Sequence, residues 1–212
     1  EKFLIVWLWW DKRLYYIIIA DEEADMNKAL EDIAGCQYGL FTSSQAESAG
    51  YSRKHHAYHV KNGHWEKVQH GLYKIAGVEE NFNYQCMKWV LWGRNKLGQA
   101  QGVLSHKSAL ALFGLVSKDD SEIHLTVSKD VRKRRIPEDG IVVHKEDLPL
   151  SDLENHGAFM STRLFRTLND TRKELEDEGV WSEIAQKLAA AGKLSENELL
   201  ALGIVNRGSK LS

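Results

Sequence analysis

Residues 40–63 read LFTSSQAESAGYSRKHHAYHVKNG, and this stretch decides how the N-terminal half of the chain folds. Thr42 and Gln45 stand at capping-box spacing, in which each side chain takes up a backbone N–H that a helix start leaves without a partner. A helix is therefore expected to open at Thr42, and Gly50 closes it at a position suited to positive φ. Ser52 is placed as the N-cap of the next helix, which runs through Val60 and stops at Asn62-Gly63. Two helices joined by a short turn around a glycine form a helix-turn-helix.

Outward from this core the pattern continues on both sides. Lys28 to Ala34 carries Ala29, Leu30 and Ile33 at helical spacing, with Gly35 close behind. Gly39-Leu40-Phe41 is a short extended link. After Gly63 the chain reads HWEKVQHGLYKIAG. Trp65, Val68, Leu72 and Ile75 can form the inward side of two strands, with the turn at Gln69-His70-Gly71. A hairpin directly behind the second helix of a helix-turn-helix is a wing.

Charge sharpens this reading. The 212-residue chain holds 28 Lys and Arg against 30 Asp and Glu, a net charge of −2, so nothing global points to nucleic acid. Thr42 to Ala76 differs. It carries Arg53, Lys54, Lys61, Lys67 and Lys74 against Glu47 and Glu66, with five of the nine histidines. If His56, His59, Val60 and Gly63 pack inward, then Arg53, Lys54, Ala57, Tyr58 and Lys61 point outward. Ser52, Arg53, Lys54 and His55 would then form the helix start that enters a major groove, where Arg and Lys read guanine edges or hold phosphate. Tyr58 lies on that outward side, and Lys61 with the wing residues Lys67, Gln69 and His70 suits phosphate or the minor groove. The competing readings are a solvated helix or a protein-docking module. His55 and His59 share a helical face but have neither an intervening HExxH glutamate nor an evident third ligand, so no metal and no cofactor is assigned.

Composition bounds the rest. Hydrophobic residues are 43% and charged residues 27%, which excludes a disordered chain, a collagen repeat and a disulfide miniprotein. Cys36 and Cys86 lack CxxC companions, so a sulfur-type zinc site is excluded. They fit a reducing compartment, with one long-range disulfide left open. Residues 3–20, FLIVWLWWDKRLYYIIIA, are apolar but broken by Asp11, Lys12 and Arg13, and they lack the features of a signal peptide. Residues 1–25 are set aside as an apolar segment, with Met26 preferred as the native start over two strands or a helix covering the core. Without them 25 basic residues face 24 acidic ones. No membrane association and a cytoplasmic location are expected.

The fold class expected is α+β, with a winged helix-turn-helix domain at 26–78 followed by a mixed α/β domain at 79–212. The junction falls in GVEENFNY, residues 77–84. Beyond it, helices are expected at Gln85–Trp92, Ser108–Phe113 and Val180–Ala191, and strands at Ile123–Val127 and Gly140–His144. Ser195 and Glu198 form a capping box. The basic run Arg132-Lys133-Arg134-Arg135 reads as a solvated hairpin rim, or as a second contact to phosphate or to a protein partner. Catalysis finds little support. Ser105 and His106 are adjacent, adjacent residues rarely face one another, and no GxSxG turn surrounds them, so Ser105 is assigned to capping the next helix. GRNKLGQAQG lacks the terminal Lys-Ser or Lys-Thr of a phosphate loop, and no acid-x-lysine strand follows Pro137-Glu138-Asp139. The chain is thus read as no enzyme, with no catalytic residue. A metal-dependent nuclease is the weaker alternative.

The residues also carry a family resemblance. GLFTSSQAESAGYSRKHHAYHVKNGHWEKVQHGLYKI, with SRxxxxxHVxxG ahead of a WEKVxxGLY wing, resembles the N-terminal winged helix of AbiEi-type antitoxins of type IV toxin–antitoxin systems. GVLSHKSALALFGL, IHLTVSKDVRKRRIP, GIVVHKEDL and STRLFRTLND follow in the family's order, so the resemblance spans about Lys28 to Asp170. Departures are His56, where such proteins usually carry leucine, and Asn169-Asp170 in place of a more apolar lead-in. The resemblance implies a bacterial DNA-binding antitoxin that represses its own promoter. Its partners would be double-stranded operator DNA and a nucleotidyltransferase-like toxin, the latter not necessarily in a stable complex. A stand-alone winged-helix regulator is the alternative. A dimer on DNA stays open, because no heptad seam is visible.

Overall fold

A computed structural model of the chain describes residues 28–95, 97–118, 122–131, 139–172 and 178–203. The apolar segment 1–25 and Arg132–Arg135 lie outside the described residues. The chain divides into two compact units between Val78 and Glu79, and its architecture is α+β, as the sequence patterning predicts.

The first unit is built as α1 (28–35), β1 (Leu40–Thr42), α2 (Ser43–Ser48), α3 (Arg53–Lys61), β2 (Trp65–Gln69) and β3 (Leu72–Ile75). The capping box at Thr42 is formed on both sides. The Gln45 N–H donates to Thr42 Oγ1 at 3.2 Å, and the Thr42 N–H donates to Gln45 Oε1 at 2.8 Å. Gly50 (φ +99°) turns the chain between α2 and α3, and Asn62 with Gly63 (φ +73°) ends α3. Ser52 occupies the N-cap position of α3, but its side chain makes no capping hydrogen bond. β3 lies between β1 and β2 in an antiparallel sheet. The core gathers Leu30, Ala34, Phe41, Ala46, Ala49, Tyr51 and Trp65, with Ile33, Val60, Tyr73 and Ile75 at its margin. Trp65 sits at its centre, edge-on to Phe41 (4.8 Å between centroids) and Tyr51 (5.1 Å) and stacked on His59 (4.6 Å). Such ring contacts add to the area that the indole buries.

The second unit starts with α4 (Phe82–Trp92), capped by Asn81, whose Oδ1 accepts from the Tyr84 N–H. This helix opens inside the segment expected as junction, because the Asn81 cap outweighs the weak apolar periodicity before Gln85. β4 (Gly102–Leu104), α5 (His106–Leu112), β5 (Ile123–Val127), β6 (Ile141–Lys145), a 3₁₀ turn (Leu150–Asp152), β7 (Leu153–Asn155), β8 (Met160–Thr162), α6 (Leu164–Arg172), α7 (Glu178–Ala191) and α8 (Glu196–Ala201) follow. The sheet order is β6-β5-β4-β8-β7. β5 and β6 run parallel, as do β4 and β8, while β4–β5 and β7–β8 are antiparallel. The connection holding Arg132–Arg135 is therefore a crossover between parallel strands, not the rim of a hairpin.

β5 is buried along its whole length because both of its faces are covered. Leu125 points to the α4 side, where Gly93 and Gly102 leave room for its methyl groups. His124 and Thr126 face α5 instead, where Ser108 Oγ accepts from the His124 N–H at 2.8 Å. A second cluster, Leu110, Leu115, Leu164, Leu168, Trp181, Ile184, Leu188 and Leu202, fills the space among the later helices. Arg166 on α6 ties this region together through Glu146 (2.6 Å), Asp170 (2.8 Å) and Asp152 (3.3 Å). The Ser195–Glu198 capping box is formed at α8. Both cysteines are free thiols, Cys36 exposed and Cys86 buried.

Gly39 and Gly63 both have positive φ, but only at Gly39 would a Cβ strike a neighbour, 2.6 Å from Val78 Cγ2. Gly63→Ala should cost about 1 kcal/mol for backbone strain alone. Gly39→Ala should cost about 1–3 kcal/mol more, because Val78 must move. Urea unfolding of the two variants checks the order, and equal midpoints would contradict the packing around Val78.

Candidate functional site

Helix α3 has one face in the core and one in solvent. His56 is buried among the rings of Trp65 and Tyr73, and its Nε2 lies 3.1 Å from the Tyr51 carbonyl oxygen, to which it donates. A leucine's place is thus taken by a ring whose polar atom is satisfied within the module. His59 and Val60 are half-buried. Gly63, placed inward by the helical pattern, is exposed, because the chain has already turned away at Asn62.

Among the nine residues singled out for DNA contact, Ser52, Arg53, Lys54, His55, Tyr58, Lys61, Lys67 and His70 are exposed, and Gln69 is half-buried. Tyr58 is notable for a large ring that is 59% exposed. The first turn of α3 holds no acidic residue. β2 and β3 form the hairpin behind it, with a register shift between Lys67 and Gln69.

Two basic residues of the module are engaged. Arg53 Nε donates to Glu47 Oε1 at 2.7 Å, with the guanidinium still 85% exposed. That hydrogen bond and the adjacent carboxylate raise the Arg53 pKa further above its ordinary value. Lys74 is buried, its side chain only 9% exposed, with Nζ 3.1 Å from Glu66 Oε2. Lys74 therefore belongs to the structure of the sheet and drops out of any surface footprint. Among the described residues, Lys54, Lys61 and Lys67 enter no ion pair. They carry the module's positive charge outward.

Residues 28–76 match the family model described as "Transcriptional regulator, AbiEi antitoxin".

This AbiEi match covers α1 through β3, the described helices and strands of the first unit, and none of the second. The later blocks, from Gly102 through Asp170, lie outside the matched region. No curated protein matches the chain. No helix among the described residues is long and apolar enough to cross a membrane.

The second unit brings together residues that the sequence reading left apart. Pairing of β5 with β6 sets His144 beside Thr126, on the face that also carries His124. His124 Nδ1 lies 3.0 Å from His144 Nε2. His106, the first residue of α5, lies over them, its ring flat on that of His144 at 3.6 Å between centroids. His106 adopts φ +49°, a left-handed conformation uncommon outside glycine. In that conformation its Nδ1 comes to 2.9 Å from Ser105 Oγ, so these adjacent side chains do face each other, contrary to the sequence expectation. Ser105 stands at the N-cap of α5 without a capping bond. Its Oγ instead accepts from Thr126 Oγ1 at 2.7 Å. Burial, then the neighbouring His144, His106 and Lys107, push the His124 pKa down to about 3, so this ring is neutral at neutral pH.

The two engaged cations predict a rank order of stability. Glu66→Gln removes one carboxylate from the buried Lys74 ammonium and should lower the urea midpoint. Glu47→Gln, whose partner already sits in water, should leave the midpoint nearly unchanged. The reverse order would mean that Lys74 is not held as described.

Proposed function

We propose that the first unit binds double-stranded DNA through the start of α3 and the β2–β3 wing. On this reading the protein is the DNA-binding antitoxin and autorepressor of a type IV toxin–antitoxin system. The observation that carries it is the two-sidedness of α3. One side is locked onto Trp65, while Ser52, Arg53, Lys54, His55, Tyr58 and Lys61 stand in water as one continuous edge. A duplex is a dense line of phosphates, and cations held at fixed spacing on a rigid helix release its counterions on binding. Phosphate contacts set register, while the first turn of α3 reads base edges. Tyr58 offers an aromatic face and a hydroxyl at the end of that edge. The match of residues 28–76 to the AbiEi antitoxin regulator model supports the same assignment.

Because that match stops at the winged unit, a stand-alone winged-helix regulator is the second reading. Both predict DNA binding. They separate on whether co-expression restores growth to cells making a nucleotidyltransferase-like toxin encoded beside this protein. Under either reading the role requires no catalytic step, and a cytoplasmic location follows from the target.

A gel shift with the DNA upstream of the protein's own coding sequence is the direct test. Arg53→Ala combined with Lys54→Ala should abolish the shift at moderate salt. Lys67→Ala should weaken binding to all sequences alike and lower the salt slope by about one unit. Glu47→Gln should tighten binding, since it frees Arg53 and removes a negative charge beside the helix start. Unchanged affinity in the double variant would remove the recognition-helix assignment.

A further inference from the structure

The second unit contains a constellation that the DNA-binding reading does not use. His106, His124 and His144 each offer one ligand nitrogen, and these atoms all lie within 4.8 Å of one another. We propose that these three histidines form a binding site for a first-row transition-metal ion, with Zn²⁺ the favoured occupant.

The donor set determines the class of ion. Three imidazoles with no carboxylate among them suit Zn²⁺, Co²⁺, Ni²⁺ or Cu²⁺ and discriminate against Mg²⁺ and Ca²⁺, which require oxygen. Two acids stand two residues from these rings in sequence: Glu122, which is exposed, and Glu146, which is held by Arg166 at 2.6 Å. Three histidine ligands leave a fourth position for water or an exogenous ligand.

The geometry needs a small adjustment. Nitrogens around a tetrahedral zinc lie about 3.4 Å apart. The His124–His144 pair is already at 3.0 Å. The His106 ring must turn off the face of His144 for its in-plane lone pair to aim at the same ion. The surroundings are those of a supported site: His106 contacts Ser105, and Ser105 accepts from Thr126. The His124 backbone is pinned by Ser108. Metal-ligating histidines are oriented by such outer hydrogen bonds. Lys107 follows His106 directly, and its charge works against any cation there, so a divalent ion must gain enough from three nitrogens to outweigh it. An ion so held would clamp the edge strand β6 to β5 and to the start of α5. This inference stands apart from the DNA-binding reading, since it concerns only the second unit.

The test is a titration of the full-length, chelator-stripped protein with Co²⁺ alone, followed by Zn²⁺. One equivalent of Co²⁺ should bind with visible ligand-field absorption, and Zn²⁺ should displace it and raise Tm in a concentration-dependent way. Histidine-selective NMR of the unsubstituted protein should show the His106, His124 and His144 imidazole signals moving with Zn²⁺, while those of His55, His59, His64 and His70 stay. His144→Gln, on a half-buried edge position, should weaken Zn²⁺ by about 100-fold or more. Ser105→Ala should weaken it by about 10–100-fold. The surface pair His59 and His64, with Nδ1 atoms 3.2 Å apart, is the internal competitor. Binding that survives His144→Gln but is lost in His64→Asn would overturn the proposal, as would NMR signals of His106, His124 and His144 that do not respond to Zn²⁺. The NMR readout uses no substitution, so a variant that fails to fold does not obscure the result.

Discussion

The packing around Trp65 is the constraint on which the first unit depends. One indole touches Phe41 from β1, Tyr51 from the turn before α3, His56 and His59 from α3, and Tyr73 from β3. The helix-turn-helix has only nine residues in its second helix, too few for a helix to persist in water unaided. Its orientation comes from burial against this ring. The exposed cationic edge is held in place because the opposite face is anchored, which is what the proposed fit to a duplex requires.

Charge in the module divides by the same logic. Lys74 is drawn into the sheet and held by Glu66, Arg53 reaches back to Glu47, and Lys54, Lys61 and Lys67 are left facing outward. Counting basic residues along the chain treats all five as equivalent. Their consequences differ because a buried ammonium must keep its partner, whereas an exposed guanidinium can exchange a surface carboxylate for a phosphate at little cost. The wing supplies the third of the outward lysines, so the positive surface spans two elements.

In the second unit the alternation of β5 does comparable work. Its odd-numbered side chain Leu125 seals the α4 face, and its even-numbered His124 and Thr126 meet α5. Polar groups buried on that side are tied into a chain of hydrogen bonds through Ser105 and Ser108. No buried side-chain nitrogen or oxygen among the described residues is left without a partner. The left-handed His106 is the strained point of this arrangement, the kind of conformation that surrounding structure must hold in place.

Local chemistry was readable directly. The capping boxes at Thr42 and Ser195, the glycine turn before α3 and the wing hairpin rest on contacts between residues close in sequence, where spacing alone sets geometry, and the strand at Ile123–Val127 showed in its alternation. Spacing also separated the exposed edge of α3 from its buried side. Three matters depended on contacts between distant segments. Parallel pairing of β5 with β6 turned an assumed hairpin into a crossover. Burial decided that Lys74 is structural. The meeting of His106, His124 and His144 required a strand register and a left-handed residue that no periodicity encodes. A sequence specifies which turn follows which helix, because those forces act over a few bonds. Which of its polar side chains become neighbours is settled only when the sheet closes and the apolar faces choose their partners.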